Sequence, residues 1–101
     1  MSGDAPLLAA AAAAFQRGFG AVLRIDATDG APFDVDGRGE PATIHPTGAE
    51  PTPDCLWRAN SETLLRAFAG GRALESAYLS GRLSIAGDMS VMARLVLEGP
   101  R

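Results

Sequence analysis

The chain has 101 residues, 47% of them hydrophobic and 21% charged, and a net charge of −3 at neutral pH. That length predicts one domain over residues 1–101 with a single modest core, and the composition lies far from the disordered regime. All nine basic residues are arginine, which removes lysine chemistry such as Schiff-base formation. An acidic balance without a basic cluster argues against nucleic acid as a partner.

Leu7 to about Gly18 predicts an alanine-rich helix with Leu8, Ala12, Phe15 and Phe19 on one face. The stretch from Leu7 to Phe15 has the length of a signal-peptide core, but acidic Asp4 and no positive residue precede it. It is also too short to span a bilayer. A cytoplasmic protein without a transmembrane segment is the expectation. Ala21, Leu23, Ile25 and Ala27 then alternate with Val22, Arg24 and Asp26, predicting a strand, and Thr28-Asp29-Gly30 is a hairpin turn signal.

Phe33 and Val35 alternate with Asp34 and Asp36 as a return strand, the two aspartates being expected on solvated sheet surface. A third strand at Ala42 to His45, with Ile44 inward, is bracketed by Pro41 and Pro46 and so belongs at an edge. Residues 47–53 read as a loop. Cys55, Trp57 and Ala59 form the apolar side of a fourth strand, followed by a helix capped by Asn60 or Ser61 with Leu64, Leu65 and Phe68 inward. Gly70-Gly71 separates it from a shorter helix, Arg72 to Ser80, carrying Leu74, Ala77 and Tyr78. Arg82 to Ala86 is a last strand with Leu83 and Ile85 on one face. Asp88 or Ser90 then caps a final helix on which Met89, Met92, Ala93 and Val96 share a face. Runs of strands and helices with short connections predict an α+β domain: a mainly antiparallel sheet of about five strands with helices on one face.

Catalytic constellations are missing from this pattern. His45 is the sole histidine, so no metal site with paired imidazoles can form, and no serine sits at a strand-to-helix elbow beside a base. The Gly-x-Gly pairs at 18 and 20 and at 37 and 39 lack the third glycine of a phosphate-binding turn. Cys55 shares the core face of its strand, where cysteine acts as a small hydrophobe, and a lone cysteine forms no internal disulfide. No enzymatic activity, cofactor or metal is expected.

The inward residues Leu23, Ile25, Phe33, Val35, Ile44, Trp57, Leu83 and Ile85 predict one apolar sheet face, opposed by helix faces bearing Phe68, Tyr78, Met89, Met92 and Val96. A packed core and a ligand cavity both satisfy that pattern. Composition alone favours the packed core, and the two methionines on one helix face shift the balance slightly toward a cavity, because flexible thioethers adapt to variable apolar guests.

Gly81-Arg82-Leu83-Ser84-Ile85-Ala86-Gly87-Asp88, followed by the closing helix, resembles the signature that ends domains of the sterol carrier protein 2 family. The resemblance is closest over Asp54 to Leu97. There, Asp-Cys-Leu-Trp stands as the strand before a capped helix, and a glycine break leads to a helix ending Ala-Tyr-Leu-Ser-Gly. It implies a sheet and helices enclosing an apolar tunnel for a sterol, fatty acid or acyl chain, with the last helix as one wall. On that reading Phe33, Trp57, Phe68, Tyr78, Leu83, Ile85, Met89, Met92 and Val96 are the ligand-binding residues of a lipid carrier. Short, proline-interrupted middle strands imply a smaller or more open cavity than the family's. The alternative is an interaction or accessory module of a larger lipid- or quinone-processing assembly, and a homodimer is left open.

Overall fold

The structure, a computed structural model, describes residues 4–48, 52–95 and 97. Helix α1 (Asp4–Ala14) turns Leu7, Ala11 and Ala14 inward, and Phe15 continues the same stripe just past the last turn. The spacing i, i+4, i+7, i+8 is one helical face. The expected face, led by Leu8 and Ala12, is therefore wrong by one residue: both are exposed. A run of alanines carries no size contrast with which to set the phase, so Phe15 sets it. Phe19 does reach the core, but from a loop. The backbone N–H groups of Phe19 and Gly20 both donate to the Gly37 carbonyl, and the Phe19 ring occupies the space a side chain at Gly37 would need.

Strand β1 (Val22–Ala27) pairs antiparallel with β2 (Phe33–Asp36), setting Leu23 opposite Val35 and Ile25 opposite Phe33. Strand β3 (Thr43–Pro46) adds to the far side of β2 as an exposed edge, with Val35 opposite Ile44. The chain then crosses to the other side of β1, where β4 (Cys55–Ala59) runs parallel to it. Strand β5 (Ser84–Gly87) closes the sheet antiparallel to β4, giving the order β3-β2-β1-β4-β5. Three of these four pairings are antiparallel and one is parallel.

The crossover changes the outer face of the sheet. Arg24 donates to the Gly48 carbonyl at 2.8 Å and, through Nε and Nη2, to both oxygens of Asp34 at 2.8 and 3.1 Å. Asp34 is only 2% exposed, which corrects its expected place on solvated surface. Its burial is tolerated because a two-pronged guanidinium satisfies both oxygens.

Helix α2 (Ser61–Ala67) starts where Asn60 accepts a hydrogen bond from the Thr63 N–H at 2.8 Å. It buries Leu64, with Phe68 just beyond it, but leaves the expected inward residue Leu65 exposed. Gly70 and Gly71, both at positive φ, turn the chain into α3 (Gly71–Leu79). The last helix, α4 (Ser90–Arg94), is short and is anchored by fully buried Val91. That corrects the expected shared face: Met89 precedes the helix and is exposed, Ala93 is exposed, and Met92 is half-buried. Val96, the fourth residue expected there, lies outside the described residues. Leu7, Ala11, Leu64, Ala67, Ala77 and Val91 from the helices form one core with Leu23, Ile25, Val35 and Trp57 from the sheet.

Candidate functional site

Strand β5 is short and forms one edge of the sheet, so the apolar face is finished there by helices rather than by another strand. Trp57 on β4 stands directly opposite Ile85 on β5. Trp57 is fully buried, stacked on Phe68 with ring centroids 6.3 Å apart and met edge-on by Phe15 at 6.0 Å. These rings make a closed aromatic floor. Above Ile85 the closure is incomplete. Leu74 and Tyr78, one turn apart on α3, face Ile85, Met89 and Met92 across an open groove of about 560 Å³. Tyr78 and Met89 are each nearly half exposed. Arg72 and Glu75 add charged groups to the lining.

The wall and the floor are joined by one polar contact. The Trp57 indole Nε1–H donates to the Met92 Sδ at 3.2 Å. Nearby, the Asp88 carboxylate accepts from the Ser90 hydroxyl at 2.6 Å and from its backbone N–H at 3.0 Å. These bonds hold Asp88 below the usual carboxylate range and brace the turn before α4, whose N-cap position falls on Met89 and has no side-chain cap, rather than on the expected Asp88 or Ser90. Burial pushes the Cys55 thiol up, the direction that disfavours the thiolate. Among the described residues no three His, Cys, Asp or Glu side chains converge in a way that could hold a metal.

Of the nine residues named from the sequence, Tyr78, Ile85, Met89 and Met92 meet in this groove. Trp57, Phe68 and Leu83 lie in the closed core, each no more than 3% exposed. Phe33 is at the other side of the sheet, beside a separate apolar hollow of about 300 Å³ shared with Leu8, Ile44 and Pro46. Val96 is outside the described residues. Leu74, Arg72 and Glu75 were not among the nine. The available signal was the i, i+4 pairing of Leu74 with Tyr78, which puts both on one face of α3.

The arrangement has known counterparts. One solved structure, "UbiJ-SCP2 Ubiquinone synthesis protein", is 19% identical and superposes with a TM-score of 0.63 over 89% of this chain and 74% of that one. The sterol carrier protein domain 2 of Helicoverpa armigera is 15% identical with a TM-score of 0.64 over 75% of this chain. This chain spans 63% of that domain. Sterol carrier protein 2 from Yarrowia lipolytica, in its apo form, is 12% identical with a TM-score of 0.59 over 92% of this chain and 82% of its own. No curated protein sequence matches. No helix among the described residues is long and apolar enough to cross a membrane. The SCP-2 sterol transfer family model matches residues 5–96, which takes in every element from α1 to α4 and both walls of the groove, and the chain belongs to that family.

Proposed function

We propose that residues 1–101 act as one non-catalytic domain that carries a sterol, fatty acid or acyl chain in the groove between α3, β5 and α4. The observation that carries this reading is the open apolar groove itself, about 560 Å³ in volume and lined by Leu74, Tyr78, Ile85, Met89 and Met92. Small-molecule pockets occupy roughly 300–1,000 Å³. Burying ten methylenes yields roughly 8 kcal/mol gross at about 0.8 kcal/mol each, against an association cost of about 4–15 kcal/mol. Affinity is therefore modest and selectivity among chains weak. The methionines suit such a role, since their side chains rearrange around guests of different shape.

A second reading is supported by the likeness to the ubiquinone synthesis protein: an accessory module whose groove receives the prenyl tail of a quinone. Tighter binding of a prenylated quinone than of a saturated fatty acid favours it.

Met89→Asp tests the groove directly, because Met89 is both 45% exposed and part of the lining. A carboxylate there must be desolvated by an entering chain. Displacement of a fluorescent fatty-acid probe should show binding weakened about ten-fold or more, with stability within about 0.5 kcal/mol of the parent. Equal binding by parent and variant contradicts the placement of the site. A parent that takes up no lipid contradicts the function.

A further inference from the structure

We infer that the groove holds its guest with a neutral acceptor oxygen directed inward, onto the Trp57 indole N–H, with Met92 as the side chain that yields. The inference rests on the groove reading above and names the chemistry of its occupant. Trp57 is fully buried, and the partner of its one polar atom is the Met92 sulfur at 3.2 Å. A thioether is a weak acceptor. The buried indole donor is thus satisfied by a poor partner, carried on the tip of a flexible side chain that itself lines the groove.

The donor lies immediately behind the wall. Ile85, cross-strand neighbour of Trp57, lines the same groove, so rotation of the Met92 thioether away from the indole opens the N–H to that space. A carbonyl oxygen arriving there exchanges a weak hydrogen bond for an ordinary one. The rings packed on the indole, Phe15 and Phe68, are apolar, and so is its cross-strand partner Ile85. A carboxylate at this point would be buried among apolar groups, because the groove's cation, Arg72, is exposed in the lining beside Glu75. The favoured guest is therefore an apolar chain bearing a neutral carbonyl, such as a ketone, quinone or ester, entered carbonyl first. An acid headgroup stays outward.

The chain has one tryptophan, so its indole N–H gives a single resonance in the 15N-labelled protein. Titration with methyl nonyl ketone should move the indole proton downfield, and titration with undecane should not. Trp57→Phe keeps a ring in the aromatic floor and removes the donor. By displacement of anilinonaphthalene sulfonate it should lower ketone affinity relative to undecane affinity by about five-fold, the factor expected for one neutral hydrogen bond. Met92→Leu removes the competing sulfur at similar volume and should strengthen ketone binding relative to undecane binding; it decides the matter if Trp57→Phe does not fold. An indole proton unmoved by the ketone, or variants that change ketone and undecane affinity equally, overturns the inference while leaving the groove reading intact. Failure of both probes to bind the parent overturns both.

Discussion

Asp36 ends β2 on the outer face of the sheet, where Arg38 holds it with Nε and Nη2 at 2.9 and 2.8 Å and with its backbone N–H at 3.1 Å. These hydrogen bonds, the side-chain pair first, draw the Asp36 carboxyl down from 3.8 to about 2. A carboxyl whose folded value lies below its unfolded one contributes stability that is fully present above the unfolded value. That contribution is lost as pH falls through the folded one. Stability is thus expected to decline between pH 3.8 and about 2 in part through this group. Arg38→Ala should raise the Asp36 titration midpoint toward 3.8 and flatten that segment of the stability profile. Carboxyl chemical shifts followed against pH check it, and a midpoint unmoved by the substitution contradicts the assignment to Arg38.

The helix and strand ends are set by glycines and caps, and one of them is a point of close approach. Gly87 closes β5 at φ +98°, where a Cβ would lie 2.6 Å from the Asp54 carbonyl oxygen. Gly87→Ala should therefore lower stability by about 1–3 kcal/mol in urea unfolding, with the damage centred on the β4–β5 pair and on Asp88 at the entry to α4. A variant as stable as the parent contradicts that close approach. Such ends were legible in the sequence because glycine, asparagine and aspartate act locally. Asn60 and Gly70-Gly71 fall where the pattern predicts, whereas Gly87 lies in β5 and the start of α4 falls two residues later, at Ser90. Strand phase was legible too, since alternation at Leu23, Ile25, Cys55 and Trp57 admits one inward face. What was not legible depends on partners far away in the chain. The phase of α1 is decided by Phe15 packing on Trp57 and Phe68. The burial of Asp34 is decided by Arg24, itself bonded to the crossing segment at Gly48. The anchor of α4 is Val91, fully buried, while Met92 and Leu95 pack only partly against the core.

At the level of the fold, one sheet face is packed by α1, α2 and α3 around an aromatic centre, and the packing is left unfinished where α3, β5 and α4 meet. Sequence pattern alone cannot distinguish a finished core from an unfinished one. Trp57, Phe68, Tyr78 and Met92 all read as inward residues, yet two are closed off and two face open space. The opening lies beside the edge strand, where a sheet of fixed width runs out of neighbours and short helices must cover the margin. An apolar chain laid there would touch Met89 and Met92 together while leaving the strands beyond β4, at Leu23 on β1 and Val35 on β2, undisturbed. The measurement that tests this most directly is methyl NMR of the protein labelled at methionine and at leucine and valine, titrated with a long-chain fatty acid. The methyl resonances of Met89 and Met92 are expected to shift together and saturably, with those of Leu23 and Val35 fixed. Methionine methyls that stay in place at saturating lipid, or shifts centred on Leu23 and Val35, would contradict a carrier groove between α3, β5 and α4.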